Sequence, residues 1–133
     1  MPQNQEGRRL PNVTFKLRKD GQWFYPTTAE LFGGKRVAVF GLPGAFTPTC
    51  SSSHLPRFDE LAPVFKRHGI DEVVCVSVND AFVMDAWARD QRTQHVMMLA
   101  DGNGELTDGI GMLVDKTALG FGKRSWRFSM IVK

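Results

Sequence analysis

The chain has 133 residues, 42% of them hydrophobic and 23% charged, which suits one domain with a single core and excludes a disordered tail or a fibrous repeat. Its net charge of +3 comes from 17 Lys and Arg spread from Arg8 to Lys133, with none of the clustering that a nucleic-acid surface requires. No apolar run approaches the roughly 20 residues that span a bilayer, and the polar start MPQNQEGRRLP lacks a signal-like apolar stretch, so a cytoplasmic location without a membrane partner is expected.

Residues 1–11 read as a loose arm. Val13, Phe15 and Leu17 alternate with polar residues, Lys19-Asp20-Gly21-Gln22 supplies a turn, and Trp23-Phe24-Tyr25 resumes an extended run, which predicts a hairpin. Thr28–Phe32 reads as one capped helical turn ended by Gly33-Gly34. Val37–Phe40 is apolar throughout and predicts a strand covered on both faces. After a loop from Gly41 to Thr49, Leu55, Phe58, Ala62 and Phe65 recur at helical spacing, with Pro56 and Pro63 expected to kink or split the helix before it ends at His68-Gly69. Val73–Val78 predicts a second buried strand, Asn79-Asp80 a cap for a helix carrying Phe82, Val83, Ala86 and Trp87, and Val96–Ala100 a third strand. A turn at Asp101–Gly104, a short helix near Glu105–Ile110 and a Gly-rich loop at Leu119–Gly122 lead to a last strand, Trp126–Val132. Strands alternating with helices predict an α/β fold with a mixed central sheet and helices on both faces. Residues 1–133 read as one domain, and an ending at Lys133 inside an apparent strand reads as truncation.

Two cysteines are too few for a disulfide framework, and with His54, His68 and His95 they lack the spacing of a zinc site. Cys50 is the more suggestive. It follows a buried strand and opens a helix, where the helix dipole and unpaired N–H groups favour a thiolate. Thr47 stands three residues earlier, where one turn brings its hydroxyl, both donor and acceptor, alongside the sulfur. A buried cysteine without chemistry is an equally fair reading of the position alone. Cys75, among valines, reads as core. His54 reads as a helix-surface or subunit-contact residue, and Ser51–Ser53 as helix-start hydrogen bonding. Met84, Met97, Met98, Met112, Met130, Trp87 and Trp126 read as core or interface filling, while Phe46 on its loop hints at a contact surface.

The stretches VFGLPGAFTPTCSSSHLP (Val39–Pro56), VVCVSVNDAFVMDAW (Val73–Trp87), LADGNGE (Leu99–Glu105) and RFSMIVK (Arg127–Lys133) resemble peroxiredoxins of the type-5 subfamily. Within it the chain is similar to bacterial members that carry, or work with, a glutaredoxin module. The resemblance implies a thioredoxin-like fold and a peroxidase needing no cofactor or metal. It makes Cys50 the peroxidatic nucleophile and Thr47 the residue that hydrogen-bonds sulfur and peroxide. Pro43 becomes the shield over the sulfur, and Arg127, which the residues alone do not distinguish from Arg124, the cation that favours the thiolate. It also implies glutathione and glutaredoxin (or thioredoxin) as reductants and a homodimer as the assembly. The chain then works as a one-cysteine enzyme. Three rivals stand beside this. A disulfide oxidoreductase needs a second cysteine where Ser53 stands. A binding module would use the fold only as a scaffold. A peroxide-sensing signalling protein shares the first oxidation step.

Overall fold

Val37–Phe40 forms the centre of the molecule because four consecutive apolar residues, two of them β-branched, suit a strand with no solvent face. The computed structural model describes residues 6–133, so part of the expected N-terminal arm lies outside it. It places this strand, β3 (Val37–Gly41), in a four-stranded sheet with β4 (Glu72–Ser77), β5 (Val96–Ala100) and β8 (Phe128–Val132). The order is β5-β4-β3-β8, parallel among β3, β4 and β5 and antiparallel between β3 and β8, the mixed sheet expected. All of β3 and nearly all of β4 are buried, so both faces are covered.

The crossovers are α2 (Leu55–Arg67), packed on β4 and β5, and α3 (Ala81–Gln91), packed on β5. Asp80 caps α3 by accepting the Val83 N–H at 2.9 Å. Neither Pro56 nor Pro63 divides α2, against expectation. A π turn over Cys50–His54 precedes it. That turn widens the helix where an α turn would press the Pro56 ring into the carbonyl four residues earlier. Beyond it, the buried Leu55 and Ala62 and the ring contacts of Phe58 with Phe40 and Phe65 hold the helix across Pro63.

The hairpin is present as β1 (Leu17–Lys19) and β2 (Gln22–Phe24), joined by Asp20 and Gly21, both at positive φ. The short helix α1 (Thr28–Phe32) is capped by Thr27, whose side chain and that of Glu30 bond each other's backbone N–H. After α4 (Glu105–Gly109) comes a second hairpin, β6 (Leu113–Asp115) with β7 (Lys123–Ser125), which the pattern reading does not contain. The expected single strand over Trp126–Val132 is therefore interrupted. Trp126 and Arg127 lie between β7 and β8, outside any strand.

Candidate active site

The chain leaves β3 through Leu42 and enters a helix at Pro48, not at Cys50 as expected. The Ser51 N–H bonds the Thr47 carbonyl at 2.9 Å, which makes Thr47 the residue before the helix and Pro48 its first member, a position that suits proline's missing N–H. Cys50 is thus in the first turn, still within reach of the positive helix end. Its side chain is fully buried.

Gly41, at the end of β3, has a specific job. A Cβ there would stand 1.9 Å from the Phe128 ring, so only glycine lets that ring lie across the strand. Phe128 pairs with Gly41 and Ser129 with Phe40. Arg127, just ahead of β8, reaches the face where the Phe40 ring stacks on Phe58 of α2, as its contact with His54 shows. There its Nη2 donates to Cys50 Sγ at 3.4 Å, and its Nη1 lies 2.6 Å from His54 Nδ1. Arg124 is elsewhere: its guanidinium sits against Gly44, with Nε donating to the Phe121 carbonyl at 3.0 Å.

His54 is the participant that sequence reasoning missed. It is not a plain surface residue. Half-buried between Phe40 and Phe58, it is held neutral, its pKa lowered to about 4 by burial first and by the Arg127 charge second. A neutral ring whose Nδ1 carries no proton accepts from the guanidinium and fixes its direction. A histidine four residues after a helical cysteine was the available signal. What it lacked was knowledge of the arginine arriving from 73 residues away.

Thr47 is half-buried and donates its hydroxyl proton to the Gly44 carbonyl at 2.6 Å. The bond is to the loop, not to the sulfur as the resemblance implied, and it leaves the oxygen's lone pairs to accept. Pro43 is half-buried in the same loop. The serines divide: Ser51 accepts the Trp87 indole N–H at 2.9 Å and Ser53 bonds the Thr49 carbonyl at 3.2 Å, while for Ser52 only the backbone is described. Cys75 pairs with Phe40, so it faces α2 from within β4. Burial pushes its thiol well above the ordinary value, and the nearness of Cys50 adds to this. Among the described residues no group of three or more His, Cys, Asp or Glu could hold a metal ion, and no helix is long and apolar enough to cross a membrane.

The chain that carries this arrangement is similar to known proteins over nearly all its length. The Redoxin family profile matches residues 5–133. A hybrid peroxiredoxin (hyPrx5) of Haemophilus influenzae is 61% identical over 96% of this chain. The chain is a peroxiredoxin. A Synechocystis peroxiredoxin is 51% identical, covering 93% of this chain and 70% of its own length. The structure of reduced Prx3 from Vibrio vulnificus in complex with hydrogen peroxide superposes with a TM-score of 0.90 at 43% identity, covering 96% of this peroxiredoxin and 80% of that one. This peroxiredoxin spans about half, 53%, of the length of the Haemophilus relative. The expected family and thioredoxin-like architecture are therefore established.

Proposed function

We propose that this peroxiredoxin reduces hydrogen peroxide and organic hydroperoxides with Cys50 as the nucleophile. The observation that carries the reading is the Arg127 Nη2 contact at 3.4 Å from Cys50 Sγ, which puts positive charge where a thiolate forms. The thiolate attacks one oxygen of ROOH, an S–O bond forms, the O–O bond breaks, and the leaving alkoxide or hydroxide takes a proton to give alcohol or water. Arg127 steadies the charge moving onto the leaving oxygen, and Thr47 accepts a hydrogen bond from the peroxide. Pro43 shields the sulfur from above. The peroxide-bound Vibrio vulnificus relative supports the choice of substrate.

The sulfenic acid is then reduced by an external thiol. Cys75 is fully buried inside β4, and a disulfide needs Cα atoms within about 7 Å with suitably directed side chains, so pairing with it requires the sheet to open. Glutathione condenses with the sulfenic acid, releasing water, and a second thiol, from glutathione or glutaredoxin, frees Cys50 as the thiol. The resemblance to glutaredoxin-linked members, and a relative whose name is hybrid peroxiredoxin, support this choice of reductant. Cys50→Ser is expected to abolish peroxide consumption and Cys75→Ser to leave it intact. Mass spectrometry after one equivalent of peroxide with glutathione should find one adduct, on Cys50. A Cys50–Cys75 disulfide in its place overturns the one-cysteine cycle, and sustained turnover with a supplied reductant separates an enzyme from a peroxide sensor.

Assembly as a homodimer in the cytoplasm completes the reading. Phe46 and Phe82 are 51% and 58% exposed, and the Ala45 N–H bond to Asn79 brings the loop of Phe46 to the start of α3, where Phe82 stands. Light scattering should give a dimer mass that falls to a monomer in Phe46→Asp/Phe82→Asp. A wild-type monomer at high concentration contradicts it.

A further inference from the structure

The segment Leu42–Thr47 carries Thr47 to the sulfur without regular secondary structure of its own. Two side chains from the β4–α3 unit tether it. Asn79, between β4 and α3, accepts the Ala45 N–H at Oδ1, 3.0 Å away. The same oxygen accepts the hydroxyl of Ser77, itself fully buried at the end of β4, at 2.5 Å. On the far side of Cys50, the buried Trp87 of α3 donates its indole N–H to Ser51. Both flanks of the cysteine are thus tied to one corner of the fold.

The Asn79 tether falls where the backbone most needs one. Phe46, the next residue after Ala45, stands at φ +64°, a conformation that the Cβ of any L-residue resists. Such a turn persists only where its surroundings hold it. The Thr47 N–H and hydroxyl both bond the Gly44 carbonyl and close the turn on itself, but they do not fix it to the rest of the fold. Arg127, by contrast, arrives from the β7–β8 junction and bonds Cys50 and His54. Its segment also meets the loop, where the Arg124 guanidinium lies against Gly44, but the hydrogen bonds that position the two halves of the site are different ones.

We propose that Asn79 is a positioning residue for the peroxide side of the site: it holds Ala45, and through the strained turn at Phe46 sets where Thr47 presents its oxygen, while leaving the Arg127–Cys50 contact alone. Ser77 orients the Asn79 amide for this purpose. The inference rests on the reading of Cys50 as nucleophile and Thr47 as the peroxide's partner.

Two rates measured on the full chain test it: reaction of Cys50 with hydrogen peroxide, which needs Thr47 in place, and alkylation by iodoacetamide, which needs the thiolate but not Thr47. In Asn79→Ala the peroxide rate should fall about tenfold or more, since misplacement by about an ångström is enough for that, while alkylation does not slow. Asn79→Asp keeps an acceptor oxygen and should recover most of the loss. Ser77→Ala should show a smaller loss of the same selective kind, with no further loss when added to Asn79→Ala, because neighbours acting through one bond are not additive. A peroxide rate for Asn79→Ala within about twofold of wild type, or both rates falling in proportion, overturns the proposal. If circular dichroism shows Asn79→Ala unfolded, Ser77→Ala and Asn79→Asp decide by the same selectivity. A wild-type chain that does not consume peroxide, or consumes it with Cys50 replaced, refutes the underlying reading instead.

Discussion

Cys50 and Cys75 are equally inaccessible, and both belong to the α2 side of the sheet, yet their surroundings differ in charge. Across the strands Cys75 has Phe40 and Met98 as neighbours, and in that setting its thiol keeps its proton far above the ordinary range. Cys50 has a guanidinium on its sulfur and a helix end beneath it. Burial alone therefore does not make a cysteine inert. On the proposed reading, the guanidinium that the fold delivers to Cys50, and not to Cys75, is what separates a nucleophile from a small core residue.

Removing that charge should erase most of the difference. Arg127→Ala is expected to slow peroxide reduction by about 100-fold or more, the scale on which a charge-stabilising donor acts. Arg127→Lys should fall between, because it keeps the charge and loses the planar fork that reaches sulfur and His54 together. Stopped-flow traces at neutral pH measure both, and an unchanged Arg127→Ala rate would sink the role given to this residue. A smaller effect belongs to His54, which directs the arginine without touching the sulfur. His54→Leu should cost roughly tenfold, equivalent to about 1.4 kcal/mol, and His54→Gln, with an acceptor oxygen, should cost less.

The smallest expected effect is on stability. His54 has a value near 4 in the fold, against 6.5 for a free side chain, so as the pH falls the unfolded chain takes up this proton first. Its contribution is whole above about pH 6.5, is lost as the pH falls from there to about 4, and changes little below that. Denaturant midpoints across this window should decline more steeply for wild type than for His54→Leu. Parallel declines would show that the histidine is not held neutral.

Much of this architecture is legible in the residues. Val37–Phe40, Val96–Ala100 and the Asp80-capped helix are each announced by an apolar run or a cap, and the structure places them where expected. The motif from Pro43 to Cys50 singles out this sulfur by resemblance, and the structure brings Arg127 to it. What failed were features set by contacts between distant segments. Leu113–Asp115 and Lys123–Ser125 are three residues each, too short to carry a period, and their pairing breaks the strand expected over Trp126–Val132. That break leaves Arg127 in the connection between β7 and β8, from which it reaches Cys50. The helix start at Pro48 was hidden because cap and cysteine were read together. The His54 contact has no local signature, since half of it lies in another part of the chain.

Phe46 shows where durability and use part company in this molecule. Its left-handed backbone costs about 1–2 kcal/mol, and with half of its ring in solvent the side chain returns little burial in the isolated chain. Glycine would hold the same turn without steric penalty. Selection or engineering for heat resistance alone would therefore erase this ring early, and with it the aromatic surface at the mouth of the site.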